Sequence, residues 1–192
     1  MAKFYFEKPS LARKQAAQAY VDEFMAAGSA INGAGGLHLY RDAYEAWLEK
    51  LQADEEQQPT QERVPARTYF LVREDDDKLV GMANIRLGLN EKLKEHGGNI
   101  GYTVRPSERG QGYAKIILYL TLREADKYGL TQVLLDANIN NPASWRTMEA
   151  LGGKRTRQVT DERTDVTTVY YQIDVKQALA NHPEYLSWLV TK

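Results

Sequence analysis

The chain has no cysteine among its 192 residues. Disulfides, thiolate zinc sites and a cysteine nucleophile are therefore excluded. Histidine is scarce: His38, His96 and His182 are the only three. His38 and His182 show no metal-ligand spacing. His96, beside two glycines, reads as a loop or helix-end residue rather than a base. An excess of one charge is missing too, since 25 basic and 26 acidic residues give a net charge of -1. A dedicated nucleic-acid binder normally carries a basic excess. No apolar run reaches membrane-spanning length, and Met1 to Ser10 lacks the apolar core of a signal peptide. The expectation is a cytoplasmic protein with no nucleic-acid and no membrane partner. The phosphate-loop pattern G-x-x-x-x-G-K-[ST] does not occur.

What is present suits one domain with a substantial core. Hydrophobic residues make up 43% of the chain and charged residues 27%, an ordinary globular balance. We expect a single unit over 1–192, with an N-terminal part (1–58), a core (66–174) and a tail (175–192). Phe4 and Phe6 alternate in a first strand. Ser10 can cap a helix whose Ala16, Tyr20, Phe24 and Ala27 share a face, with Gly28 at its end. Tyr40, Tyr44, Trp47, Leu48 and Leu51 recur at helical spacing, either lining an acceptor pocket or forming a core face, the favoured reading. Ala53 to Pro65 is polar and reads as an exposed connection.

Thr68 to Arg73 and Leu79 to Leu87 read as strands joined by the acidic run 74–78, a turn rather than a metal cage. Leu89 to Glu95 suits a short helix. Thr131 to Ala137 is nearly continuously apolar, the pattern of an inner strand buried on both faces. Asn141 and Pro142 open the next helix. Its Ser144, Met148 and Leu151 share a face, and Gly152-Gly153 ends it. A closing hairpin follows, Lys154 to Val159 and Val166 to Ile173, then a helix from Val175 to Asn181. The apolar tail Tyr185, Leu186, Trp188, Leu189 needs cover, from its own domain or from a second copy in a homodimer.

The central stretch is Gly101-Tyr102-Thr103-Val104-Arg105-Pro106-Ser107-Glu108-Arg109-Gly110-Gln111-Gly112-Tyr113-Ala114-Lys115. Ile100, Tyr102 and Val104 alternate as in a half-buried strand, and Pro106 stops the ladder. Gly110 and Gly112 let backbone approach a bound group, and a helix begins near Ala114. Two arginines and a helix N-terminus make an anion site, which we read as a pyrophosphate cradle.

Arg109 to Ala114 resembles the R/Q-x-x-G-x-G/A signature of the GNAT superfamily of acyl-CoA-dependent N-acetyltransferases. Asn141-Pro142-Ala143-Ser144, followed by Glu149-Ala150-Leu151-Gly152, resembles that family's second segment, N-x-x-S/A…E-x-x-G. The resemblance spans roughly residues 66 to 174. It implies an α/β fold with a mixed, mostly antiparallel central sheet, flanked by helices. Its fourth and fifth strands splay apart, here Ile100 to Val104 and Thr131 to Ala137. It implies acetyl transfer from acetyl-CoA, a co-substrate, to a primary amine on a small molecule or peptide, directly in a ternary complex and without metal.

Carried over residue by residue, Thr103 and Val104 would pair with the pantetheine arm. Arg109, Gly110, Gln111, Gly112, Tyr113 and Ala114 would hold the pyrophosphate. Asn141 and Ser144 would touch the pantetheine side, although Asn141 is also a helix cap and Ser144 can be a surface residue. Asp136 stands where some relatives keep the base; it can equally cap a turn or pair with a basic residue. Two positions depart from the family. Met148 occupies the usual place of a proton-donating tyrosine, and Gly153 that of an aromatic residue.

Two other classes remain open. Loss of the tyrosine favours an idle CoA-binding module. A dinucleotide-binding oxidoreductase is suggested by Gly110-Gln111-Gly112 after a strand, but Lys115 stands at the third glycine position.

Overall fold

Strand alternation in the first half of the chain builds an antiparallel sheet with a core on each face. In the computed structural model, which describes residues 2–190, its strands are β1 (Phe4–Glu7), β2 (Ala66–Arg73), β3 (Lys78–Arg86) and β4 (Ile100–Val104), in that order. The ends of the expected single unit, residues 1, 191 and 192, lie outside the described residues. The acidic run makes the β2–β3 turn: Asp77 adopts φ 53°, and Asp76 pairs with Arg73 at 2.7 Å.

Helices α1 (Lys14–Ala26) and α2 (Tyr44–Glu56) cover one face. Tyr20, Phe24, Tyr44, Trp47 and Leu51 pack there on Phe70, Val72 and Met82. The aromatic stripe is thus a core face. Truncating Trp47 to alanine should cost about 3–5 kcal/mol. The short helix α3 (Glu91–Glu95) is capped by the Asn90 side chain, with His96 at its C-terminal end. Helix α4 (Tyr113–Lys127) covers the other face against Leu71, Val80, Ala83 and Ile85. It is buried nearly all round, with Ile116, Ile117, Leu118, Tyr119, Leu120 and Leu122 all inside. It is sandwiched between the sheet and the elements that follow.

A second antiparallel sheet follows. It comprises β5 (Gln132–Asn138), β6 (Lys154–Asp161) and β7 (Val166–Asp174), in the order β5-β7-β6. Helix α5 (Pro142–Ala150) joins β5 to β6, and α6 (Val175–Asn181) follows β7. Tyr185, Trp188 and Leu189 of the tail pack on their own domain, while Leu186 stays exposed: Trp188 stacks on Phe4 at 6.2 Å, and the Val190 amide donates to Phe4 O at 2.9 Å.

The expected fold class is the one the chain adopts, including fourth and fifth strands that form no ladder with each other. Antiparallel pairing removes the dinucleotide-binding alternative, which requires a mostly parallel sheet. Two local expectations need correction. Ser10 precedes a turn of 3-10 helix, and its side chain makes no cap bond. Strand β5 is buried on one face only: Val133 and Leu135 enter the core, while Leu134 and Asp136 are half-exposed. Their face borders the space left by the splay.

Candidate functional site

Hydrogen-bond parity decides which backbone groups of β4 face the gap toward β5. The Arg105 amide donates to Val80 O and the Arg86 amide to Asn99 O. In an antiparallel ladder such bonded pairs alternate with unbonded ones. The register pairs Thr103 with Met82 and Tyr102 with Ala83, so the backbone groups of Tyr102 and Val104 point away from β3. They face β5, which does not pair with them. Thr103 belongs to the bonded set, so of the two expected pantetheine partners only Val104 offers its backbone to the gap.

A single residue clasps the strands where they part. Buried Asn99 donates its amide to Leu134 O (2.7 Å) and accepts from the Leu134 amide through Oδ1 (2.8 Å). Beyond it opens a cleft of about 740 Å³, well within the size range of ligand sites. Of the sequence-derived candidates, Thr103, Val104, Arg109, Gly110, Gly112, Tyr113, Ala114, Asp136, Asn141 and Ser144 all border it.

The glycine loop supplies the positive wall. Gly110 and Gly112 adopt φ 80° and 81°, a region that other residues enter only with strain. A Cβ at either would meet no atom within 4 Å, so conformation rather than crowding demands glycine. The Arg109 amide is taken by Pro106 O and that of Lys115 by Gly112 O. The amides between them, 110 to 114, have no acceptor among the described residues. They sit at the N-terminus of a 15-residue helix, where aligned peptide dipoles favour an anion.

Side chains divide differently from expectation. Gln111 turns out of the cleft: its Nε2 donates to Glu108 and its Oε1 accepts from the Tyr113 hydroxyl. Buried Glu108 also takes Arg73 (2.6 Å) and Lys78 (2.5 Å). Burial opposes its charge, yet those two cations hold the carboxyl below its ordinary value. This cluster pins the loop to the β2–β3 hairpin. The Tyr113 ring is likewise buried, edge-on to Phe4, leaving its amide to face the cleft. Arg105 is neutralised by Glu23 at 2.5 Å. Arg109 has no carboxylate within 4 Å among the described residues; it donates to Ser29 Oγ at 2.8 Å.

Asn141 caps α5 by accepting from the Ser144 amide. Tyr102 reaches across from β4, donating to Ser144 O at 3.1 Å, with Ser144 Oγ at 3.4 Å. Burial pushes the Tyr102 phenol up to about 12 despite that bonding. Met148 is buried beside them. Gly153 has a steric reason: a Cβ there would lie 2.6 Å from Met148 O.

Apart from Asp136, the opposite mouth went unread in the sequence. Gly33, in the loop after α1, lies against Gly101 of β4, where a Cβ would approach Gly101 O to 2.1 Å. The Tyr20 hydroxyl meets Thr103 Oγ1 at 2.9 Å. Asp136 Oδ2 accepts from the Gly97 amide at 2.7 Å, and Arg86 Nη1 donates to the carbonyls of Gly97 and Gly98, each at 3.0 Å. The only available signals were the glycine pairs themselves, each marking a close approach of backbones.

A sequence model of the acetyltransferase (GNAT) family matches residues 36–152, more than half of the chain. The chain belongs to the GNAT acetyltransferase family. No curated protein sequence matches it. Solved GNAT structures share its fold. YncA from Salmonella typhimurium, a putative acetyltransferase solved with acetyl-CoA, is 18% identical, with 90% of this chain and 94% of that one covered and a TM-score of 0.62. The ribosomal-protein-S5-alanine acetyltransferase of Vibrio fischeri is 11% identical over 91% and 94%, with a TM-score of 0.69. RimJ of Mycobacterium smegmatis, in complex with CoA-disulfide, is 13% identical over 95% and 92%, at 0.69. Identities this low carry the GNAT fold alone.

Proposed function

We propose that this GNAT protein transfers an acetyl group from acetyl-CoA to a primary amine in a ternary complex. The observation that carries this reading is the row of unpartnered amides, 110 to 114, of which residues 110, 112, 113 and 114 border a cleft beside the unladdered edge of β4. Those amides suit a pyrophosphate, with Arg109 and Lys115 supplying positive charge nearby. The Val104 amide suits a carbonyl oxygen, where it would stabilise developing negative charge. Asn141 and Ser144 border the same passage. Acetyl-CoA would supply the thioester.

In the transfer, the amine nitrogen attacks the thioester carbonyl carbon. The C–N bond forms, the C–S bond breaks and CoA leaves as thiolate. The nitrogen must lose a proton. Two carboxylates border the cleft, Glu108 and Asp136. Glu108 is locked between Arg73 and Lys78, while Asp136 has no ion-pair partner within 4 Å among the described residues. Asp136 is therefore our choice of base. On the thiolate side Met148 offers no proton. Tyr102, with a phenol near 12, keeps its proton against a thiol of about 8.5. That proton is already donated to Ser144 O, so the thiolate would take its proton from solvent.

An idle CoA-binding module is the second reading, favoured by Met148. Calorimetric titration with CoA, followed by CoA release over an amine panel, separates the two. Micromolar affinity with turnover supports the transferase. Affinity without turnover supports the idle module, and absence of affinity overturns both. The lack of cysteine leaves a thiol-based assay free of protein background.

A further inference from the structure

Arg86 and Asp136 lie on the same side of the gap. Along β3, Met82, Asn84 and Arg86 share the face covered by α1 and α2, since Met82 packs in that core. Along β5, Val133 and Leu135 enter the opposite core, so Asp136 projects to the Arg86 side. Both residues border the cleft. One residue links them: Gly97 donates its N–H to Asp136 and accepts Arg86 on its carbonyl, through two successive peptide groups.

Neither charge is neutralised. Among the described residues, no acid lies within 4 Å of Arg86 and no base within 4 Å of Asp136. Arg86 spends Nη1 on two carbonyls, while its Nη2 and Nε have no acceptor among those residues. Burial lowers its pKa, partly offset by the Asp136 charge. Arg86 is half-buried, so its open nitrogens remain reachable from the cleft and a ligand carboxylate could complete them. Asn32, Asn138 and Thr168, all polar and uncharged, border the same mouth.

We infer that the acceptor is a free amino acid, its amine directed at Asp136 and its carboxylate at the open edge of Arg86. This rests on the acetyl-transfer reading above. A planar guanidinium matches a carboxylate with two parallel hydrogen bonds. A polyamine would bring a second cation against Arg86, and an amidated peptide would offer no carboxylate.

The test uses the wild-type protein with saturating acetyl-CoA. Acceptors are free amino acids, their carboxamides, spermidine and a C-terminally amidated peptide. The expected result is a kcat/KM for a free amino acid at least about tenfold above its carboxamide, as for a site whose polar groups would otherwise stay unpaired. Arg86→Gln should collapse that preference toward unity while leaving the KM for acetyl-CoA unchanged. Equal or better turnover of carboxamides or spermidine overturns the inference, even if the variant does not fold. So does a variant that slows both acceptors in proportion, which would give Arg86 a purely structural hold on Gly97 and Gly98. Acetyl-CoA binding with no acceptor turned over also overturns it. The cofactor reading itself falls only if acetyl-CoA does not bind.

Discussion

The two walls of the cleft are made of different materials. One wall is backbone: amides 110 to 114, held at their angles by two glycines with φ near 80°. The other is side chain: Arg86 and Asp136, brought from two sheets to one glycine, Gly97. A backbone wall recognises charge whatever its side chains are, and breaks only when its conformation breaks. A side-chain wall can change what it recognises by single substitutions that leave the other wall intact. Chemistry and acceptor choice should therefore separate from cofactor affinity under mutation.

The largest expected separation comes from Asp136→Asn. The amide oxygen can still accept from Gly97, so the mouth should keep its shape. As removal of a general base, it should lower kcat by about 100-fold or more. The CoA dissociation constant should stay within twofold, and the acidic limb of the pH–rate profile should vanish. Near-normal turnover with an unchanged profile would assign Asp136 to holding Gly97.

The converse is Gly112→Val. A β-branched residue at φ 81° is strained by about 1–2 kcal/mol. Relief would turn the loop amides out of line, and the added side chain would occupy cleft space. CoA affinity should fall by about tenfold to 100-fold, consistent with 1.4 kcal/mol per decade. A folded variant with native affinity would remove the loop from the cofactor site.

Glu108→Gln asks how far the backbone wall depends on its brace. Glu108 ties Arg73, Lys78 and Gln111 behind the loop. Glutamine keeps the shape but leaves Lys78 without a carboxylate and Arg73 with Asp76 alone. We expect a several-fold weaker CoA affinity and a smaller change in kcat, measured by titration and steady-state kinetics. An equal loss in both would show that the brace also serves the opposite wall.

The same division decides what could be read from the sequence. The backbone wall is local: Gly110, Gly112 and the helix start lie within a few residues, and their spacing carries the chemistry. Arg86 reaches Gly97 over 11 positions, and the clasp at Asn99 and the contact of Gly97 with Asp136 join residues 35 and 39 positions apart. No spacing rule reaches that far. Even in the legible stretch, side-chain direction was hidden. Gln111 lies inside the motif yet points at Glu108, because that buried carboxylate needs donors. Thr103 lies next to Val104, but ladder parity gives its backbone to β3. Strand β5 misled through composition: Leu134 is apolar yet half-exposed, with Gly98 close against its backbone carbonyl rather than a second sheet layer over its side chain.

The smallest effect concerns Glu23 of α1, which links the N-terminal helix to the start of the glycine loop. One oxygen pairs with Arg105 at 2.5 Å and the other accepts the Ser107 amide at 2.7 Å. Partial burial opposes the charge, but these partners hold the carboxyl down to about 2 from an ordinary 4.5. The folded value lies below the unfolded one, so the contribution is complete above pH 4.5 and is lost as pH falls toward 2. The carboxylate keeps some contact with solvent, which screens the pair, so we expect only about 1 kcal/mol. Glu23→Gln should therefore lower urea stability by about that amount at pH 7, and the difference from wild type should shrink between pH 4.5 and pH 2. CoA affinity should change less than in the Glu108 variant, since the Ser107 amide can still donate to a glutamine oxygen. A stability difference that stays constant down to pH 2 would show that packing of the side chain, rather than its charge, fastens α1 to the loop.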